Sequence, residues 1–173
     1  MSREIAIGPL TAAAFAPYGE VLEAVGAPDR LINRGLCARY HDRAQLDFGP
    51  DGRAGVSLFL GQPYPLPHRL DLMERHPLGS QTFLPMSCDP FLVIVAPDAG
   101  GIPGRPRAFA TAPGQGVNIG RGVWHGVLTP IGRPGLFAVV DYIGPGGNLE
   151  EAAIDPPWIV GSAEDAARFA AAP

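Results

Sequence analysis

The chain has 173 residues, a formal net charge of −4 and 46% hydrophobic residues. That is the size and composition of one globular unit with a real core, so a single domain over 1–173 is expected, with a C-terminal helix near 162–171 as an appendage. The mild acidity and the lack of a basic cluster exclude nucleic acid as a natural partner, and no run approaches the ~20 apolar residues of a membrane span.

All thirteen basic residues are arginine, so lysine Schiff-base chemistry is closed to this chain. Arginine suits bidentate recognition of small carboxylates. Two cysteines, Cys37 and Cys88, make no disulfide framework and read as buried or half-buried free thiols of a cytoplasmic protein. The N-terminus carries Arg3 and Glu4 and lacks the apolar region of a signal peptide.

With 23 glycines and 20 prolines, the pattern is one of many turns and short elements. Glu4 to Ile7 reads as a strand stopped by Gly8-Pro9, and Thr11 caps a short helix through Phe15. Val21-Leu22 is too short to assign. Ile32 to Asp42 is a strand-like frame dense in polar groups, among them Asn33, Arg39, His41 and Asp42, which suit either ligand contacts or an exposed edge. Val56 to Leu60 is a strand, and Gln62 to His68 a Pro-rich connection that makes His68 a loop residue. Arg69 to Met73 is a half-buried strand delivering Glu74 and His76, and Phe83-Leu84-Pro85 closes a hairpin with it. Phe91 to Ala96 is apolar throughout, as in a strand buried on both faces. Strands follow at Arg107–Thr111, Val117–Ile119, Val123–Leu128 and Leu136–Ile143, and Ser162 caps a helix from Ala163 to Ala171. Short strands, Gly/Pro turns and helices only at the ends predict an all-β β-barrel or jelly roll.

Two stretches carry the chemistry. In Glu74-Arg75-His76-Pro77-Leu78-Gly79-Ser80-Gln81, Glu74 and His76 are two apart and share one face of a strand. The second stretch is Gly114, five residues, Gly120-Arg121-Gly122, two residues, His125, three residues, Thr129. Trp124, alternating with His125, should face the core. The layout resembles the cupin family, whose second motif has this spacing, with Gly120 and Thr129 standing for its Pro and Asn. In the first motif Glu74 and Gln81 stand for a His and the Glu. The set of Glu74, His76, Gln81 and His125 offers two imidazoles, a carboxylate and an amide, which can hold divalent Ni, Mn, Fe or Zn. The same groups serve equally as acid and base without metal. No cofactor is required by the pattern, and the changed first motif weighs against tight metal binding.

A narrower resemblance follows from Ile32-Asn33…Arg39-Tyr40-His41-Asp42, from Glu74 to Gln81 with Phe83-Leu84-Pro85-Met86, and from Gly116-Val117-Asn118…Val123-Trp124-His125. Together with Asp141 and the Gly146-Gly147 turn, these resemble the ureidoglycolate lyase family of allantoin catabolism, where Asp-Arg commonly stands in place of Asp141-Tyr142. The resemblance implies cleavage of ureidoglycolate to glyoxylate and urea by a cytoplasmic homodimer. It implies Glu74, His76 and His125 as the catalytic groups, with Asn33, Arg39, His41, Arg75, Gln81 and Asp141 around the substrate. Other readings are a cupin isomerase or dioxygenase, or a non-catalytic cupin that binds a small ligand.

Overall fold

The computed structural model describes residues 3–170. Fifteen strands occur among them: β1 (Glu4–Ile5), β2 (Ile7–Pro9), β3 (Gly19–Leu22), β4 (Arg30–Ile32), β5 (Cys37–Arg39), β6 (Arg53–Gly61), β7 (His68–Arg75), β8 (Gln81–Pro85), β9 (Phe91–Ala96), β10 (Arg107–Ala110), β11 (Gly116–Ile119), β12 (Trp124–His125), β13 (Thr129–Pro130), β14 (Gly135–Ile143) and β15 (Glu150–Val160). The helices are α1 (Ala12–Phe15), capped as expected by the Thr11 hydroxyl accepting from the Ala14 amide, and α2 (Ala163–Ala170), capped by Ser162. The expected helix end at Ala171 lies outside the described residues. No described helix is long and apolar enough to cross a membrane.

Strands β1-β15-β7-β12-β9-β10-β2 form one sheet in that order, with β13 also on β9, and β3-β11-β8-β14-β6 form a second. They wrap into a nearly closed, cupin-like β-barrel. The core shows why. Phe91, Val93 and Val95 of β9 pack with Phe83, Val117, Phe137 and Val139 from the second sheet, between the two layers. The alternate residues Leu92, Ile94 and Ala96 pack on the other face of the first sheet with Leu70, Met73, Trp124 and Val160, against Phe169 of α2. A strand buried on both faces has no polar side to alternate with, which accounts for its continuous apolar run.

Several elements differ from the sequence expectation. Val21-Leu22 belongs to β3, held by its ladder to β11. The expected 123–128 strand is regular only at Trp124–His125. Strand β15 went unforeseen because Pro156 and Pro157 interrupt it. The register to β7 slips between Ala153 and Trp158, where residues without an amide hydrogen sit in an irregularity of the ladder. The turn after β7 does not close a hairpin; it carries the chain to the other sheet, where β8 pairs with β11 and β14. His68 begins β7 and is buried, its ring edge-on to Tyr64, rather than lying in a loop. Cys88 is exposed and Cys37 half-buried, both as free thiols.

Candidate active site

The crossing from one sheet to the other places the chemistry. Glu74, near the end of β7, stands directly opposite His125 of β12 in the antiparallel ladder. Glu74 and His125 share the inner face, while their neighbours Arg75 and Trp124 stack together on the outer one, with the guanidinium 4.5 Å from the ring centroid. His76 follows β7 at once and brings its ring centroid within 5.2 Å of that of His125. One ligand atom each from Glu74, His76 and His125 lies within 4.8 Å of the others. From the second sheet, β8 and β14 contribute Gln81 and Asp141. Their ladder runs to Val140↔Thr82, so the two residues face each other one step beyond it.

The 76–80 turn is held from outside. Asn148 holds it twice: its backbone carbonyl accepts from His76 Nδ1 at 2.5 Å, and its side-chain Oδ1 accepts from the Leu78 amide at 2.8 Å. The Ser80 amide donates to the Asp47 carbonyl at 2.7 Å. Gly79 must be glycine, because a Cβ there would lie 2.8 Å from Tyr142 Cβ and 2.9 Å from the Asp47 carbonyl oxygen. Asn148 was not singled out from the sequence, where a Gly-Pro-Gly-Gly-Asn run signals only a turn.

The hydrogen bonds fix the imidazole tautomers. His76 Nδ1 meets the Asn148 carbonyl, and His125 Nδ1 meets the Gly126 carbonyl at 3.0 Å. A carbonyl can only accept, so both Nδ1 atoms carry a proton, and in the neutral ring it is Nε2 that holds the lone pair. The contact from His125 Nδ1 to Glu74 Oε1, at 3.8 Å, is too long to compete. Four buried polar atoms among the described residues have no partner: His76 Nε2, His125 Nε2, Gln81 Oε1 and Asp141 Oδ1. All four are acceptors. A group of convergent, unpaired acceptors is costly unless something electropositive meets it, either a cation or the N–H and O–H groups of a substrate.

Burial sets the charges. His125, 1% exposed, is pushed down to about 4 by desolvation, with the hydrogen bond to the Gly126 carbonyl opposing and the neighbouring His76 adding. It is neutral at neutral pH. Desolvation raises Glu74; the neighbouring His76 imidazole opposes this, and Glu151, beside it on β15, adds to it. Asp141 is also raised by burial, against His76 and the Gln81 amide. Two carboxyls raised toward neutrality beside a neutral imidazole form a set able to move protons.

The donor set also fits a divalent cation. Two imidazole lone pairs and a carboxylate are a common N/O ligand group for such metals, and the two Nε2 atoms make no bond to the protein that would compete.

Not every residue singled out from the sequence joins this cluster. The Arg75 guanidinium reaches Asp98 at 2.9 Å and Glu150 at 2.6 Å, on the outer face. Asn33, in the turn after β4, Arg39, at the end of β5, and His41, just past it, are all exposed or half-exposed, and Arg39 donates to His41 Nδ1 at 2.8 Å. Arg121 donates to the Pro77 carbonyl at 2.6 Å. Tyr142 donates its hydroxyl to the Pro145 carbonyl at 2.7 Å. A separate surface cavity of about 570 Å³ is lined in part by Cys88, Asp89, Arg133 and Arg168, none of which belongs to this cluster.

Known proteins share this framework. A family model described as ureidoglycolate lyase matches residues 2–161. "Ureidoglycolate lyase" of Rhodobacter capsulatus is 64% identical over 154 residues, covering 89% of this chain and 96% of that protein. "Ureidoglycolate lyase 2" of Rhizobium meliloti is 52% identical over 155 residues, covering 89% and 95%. "Ureidoglycolate lyase" of a Chelativorans species is 53% identical over 157 residues, covering 90% and 95%. With the barrel, the crossing turn and the two-histidine cluster in place, the match over nearly the whole chain means that it belongs to the ureidoglycolate lyase family.

Proposed function

We propose that the protein cleaves ureidoglycolate to glyoxylate and urea, with Glu74, His76 and His125 as the catalytic groups. The observation that carries this reading is the cluster of unpaired acceptors beside carboxyls raised by burial. The substrate carbon bears a hydroxyl, a carboxylate and a ureido nitrogen. One group must take the hydroxyl proton as the O–H electrons form the carbonyl and the C–N bond breaks. Another must protonate the departing nitrogen, so that the products balance as glyoxylate and urea. The Nε2 lone pairs are bases already aimed by their Nδ1 hydrogen bonds. Glu74, with its carboxyl raised, carries the proton to the leaving nitrogen. Gln81 Oε1 and Asp141 Oδ1 accept from the ureido N–H groups. Each acid or base in place contributes ~10²–10⁴-fold.

A divalent cation of the Ni, Mn or Zn type would be held by His76 Nε2, His125 Nε2 and Glu74, with Gln81 nearby, and would supply Lewis-acid polarisation of the substrate hydroxyl. With those lone pairs engaged, Asp141 is the remaining raised carboxyl able to hold a proton.

The protein acts as a cytoplasmic homodimer in this reading. Supporting it, Val56, Leu58 and Leu60 of the edge strand β6 point outward, Leu58 at 67% exposure, beside exposed Leu84 and Leu136 of the same sheet and Met86 just past β8. An apolar sheet face of that kind calls for cover. The deciding experiment is incubation with ureidoglycolate and separate assays of glyoxylate, urea and ammonia. Equal amounts of glyoxylate and urea without ammonia are expected; ammonia accompanying glyoxylate would mean hydrolysis of the ureido group and overturn the lyase reading.

A further inference from the structure

Residues 24–43 form an arm that buries nothing: each is exposed or half-exposed. Both of its ends are fixed. Strand β3 precedes it in the ladder with β11, and the Gln45 carbonyl that follows it accepts from Asn118 Nδ2 at 3.3 Å. Between these anchors β4 and β5 pair with each other in a separate two-stranded sheet. Asp29 braces the base, accepting from the His41 amide at 2.9 Å and pairing with Arg43 at 3.4 Å. The tip holds two consecutive non-glycine residues in the left-handed region, Asn33 at φ 54° and Arg34 at φ 61°, and ends on Leu36, 90% exposed.

A lone two-stranded hairpin is marginal in water, and each left-handed residue costs roughly 1–2 kcal/mol. An ordered arm with a strained, apolar tip and no core of its own is shaped for a surface it does not touch here.

Charge indicates which surface. Arg30, Arg34 and Arg39 have no carboxylate partner among the described residues, and Arg39 donates to the neutral-acceptor nitrogen of His41. The catalytic cluster has the opposite character. Its unpaired atoms are all acceptors, and the two arginines adjoining it in sequence are tied elsewhere: Arg75 to Asp98 and Glu150, Arg121 to Pro77 and Asp47. A substrate carboxylate entering that cluster finds no free guanidinium on its own protomer's catalytic segments, while the arm carries three.

We infer that the 24–43 arm of one protomer crosses to a second copy of this chain, lays Leu36 on that copy's exposed apolar sheet face, and delivers Arg34 and Arg39 to its catalytic cluster to hold the substrate carboxylate. The inference rests on the substrate reading above for the ligand, though not for the crossing. A two-fold dimer makes the exchange reciprocal, so each site is built from two chains.

Two measurements test this. In the first, an Arg34→Ala/Arg39→Ala variant and a His125→Ala variant are each purified, then co-expressed. Each alone should lose at least ~10²-fold in kcat/KM. Co-expression should restore about a quarter of the wild-type rate, because half the dimers are mixed and each of these carries one intact site. No recovery would place the arm over its own protomer's site, and full activity of the arginine variant alone would remove the arm from the site altogether; either overturns the inference. The second is independent of activity. A benzophenone amino acid replaces Leu36 in a mixture of light and ¹⁵N-labelled chains. Irradiation should give covalent dimers whose cross-linked peptides join a light chain to a heavy one. Cross-links confined within single chains, or none, overturn the crossing even if wild-type protein cleaves ureidoglycolate. Wild-type protein that cross-links between chains but releases no glyoxylate would overturn the substrate reading and leave the crossing standing.

Discussion

His76 and His125 lie with ring centroids 5.2 Å apart, and each donates its Nδ1 proton to a backbone carbonyl, leaving two unpaired Nε2 lone pairs on one side. They approach from opposite ends of the catalytic segment, one just past β7 and the other on β12. They therefore act as a unit. His76→Ala and His125→Ala should each lower turnover by ~10²-fold or more, and the double variant should be little worse than either single, as for groups serving one step. Arg69→Ala, on the exposed side of β7 and paired with Asp71 at 3.1 Å, is the control and should match wild type. Steady-state kinetics on the four variants checks this; independent, multiplicative losses would break the unit into separate roles.

The buried His125 ties stability to pH. Its folded pKa, about 4, lies below the ordinary histidine value of 6.5, so the unfolded chain takes up a proton first as pH falls. Its contribution is constant above pH ~6.5 and is lost as pH drops toward ~4, at a cost of about 3 kcal/mol. Glu74 and Asp141, raised by burial, act with the opposite sign, since the folded state takes up their protons first. Urea unfolding of metal-free protein at pH 7.5 and 4.5 separates the two effects. His125→Asn should lose less stability over that interval than wild type, and equal losses would contradict the assignment.

The outer support of the crossing turn predicts a mutation away from the reacting atoms. Asn148 Oδ1 accepts from the Leu78 amide at 2.8 Å, and Asn148→Ala leaves that donor without its partner. A cost of about 1–2 kcal/mol is expected from chemical denaturation. Because the same residue's carbonyl orients His76, kcat should fall ~10-fold with little change in KM. A fall in stability with unchanged kcat would make Asn148 purely structural.

The acceptor cluster predicts metal affinity that depends on Glu74, His76 and His125. Equilibrium dialysis against Ni²⁺, Mn²⁺ and Zn²⁺, read by elemental analysis, should give one ion per chain at most, lost in Glu74→Gln, His76→Ala and His125→Ala alike. Binding that survives all three substitutions would place the ion elsewhere.

The exposed face of β6 predicts its own variant. In the homodimer proposed above, Leu58→Asp should shift the protein toward monomer by light scattering while leaving the circular-dichroism spectrum unchanged, because Leu58 is 67% exposed within the protomer. A variant that stays dimeric would remove β6 from the interface.

Much of the barrel could be read from the chain. The apolar run of β9, the Thr11 cap of α1 and the alternation that packs Trp124 into the core on the face opposite His125 are local properties, set by side-chain period and capping chemistry within a few residues. The closeness of Glu74, His76 and His125 was legible through motif spacing, since a short turn fixes where the next strand begins. What depended on long-range pairing was not. Strand β15 is interrupted by prolines and exists because β7 offers it a partner. His68 is buried by strands distant in sequence, although its neighbours read as a loop. The 76–80 turn leads to the opposite sheet rather than back on itself, and the choice lies in contacts to Asp47 and Asn148. The sequence by itself determined which acid, base and ligand side chains are available to the cluster. Tertiary structure alone decided their tautomers, which of them are neutral and which arginines are already spent on ion pairs, because those depend on carbonyls and carboxylates that folding brings from elsewhere in the chain.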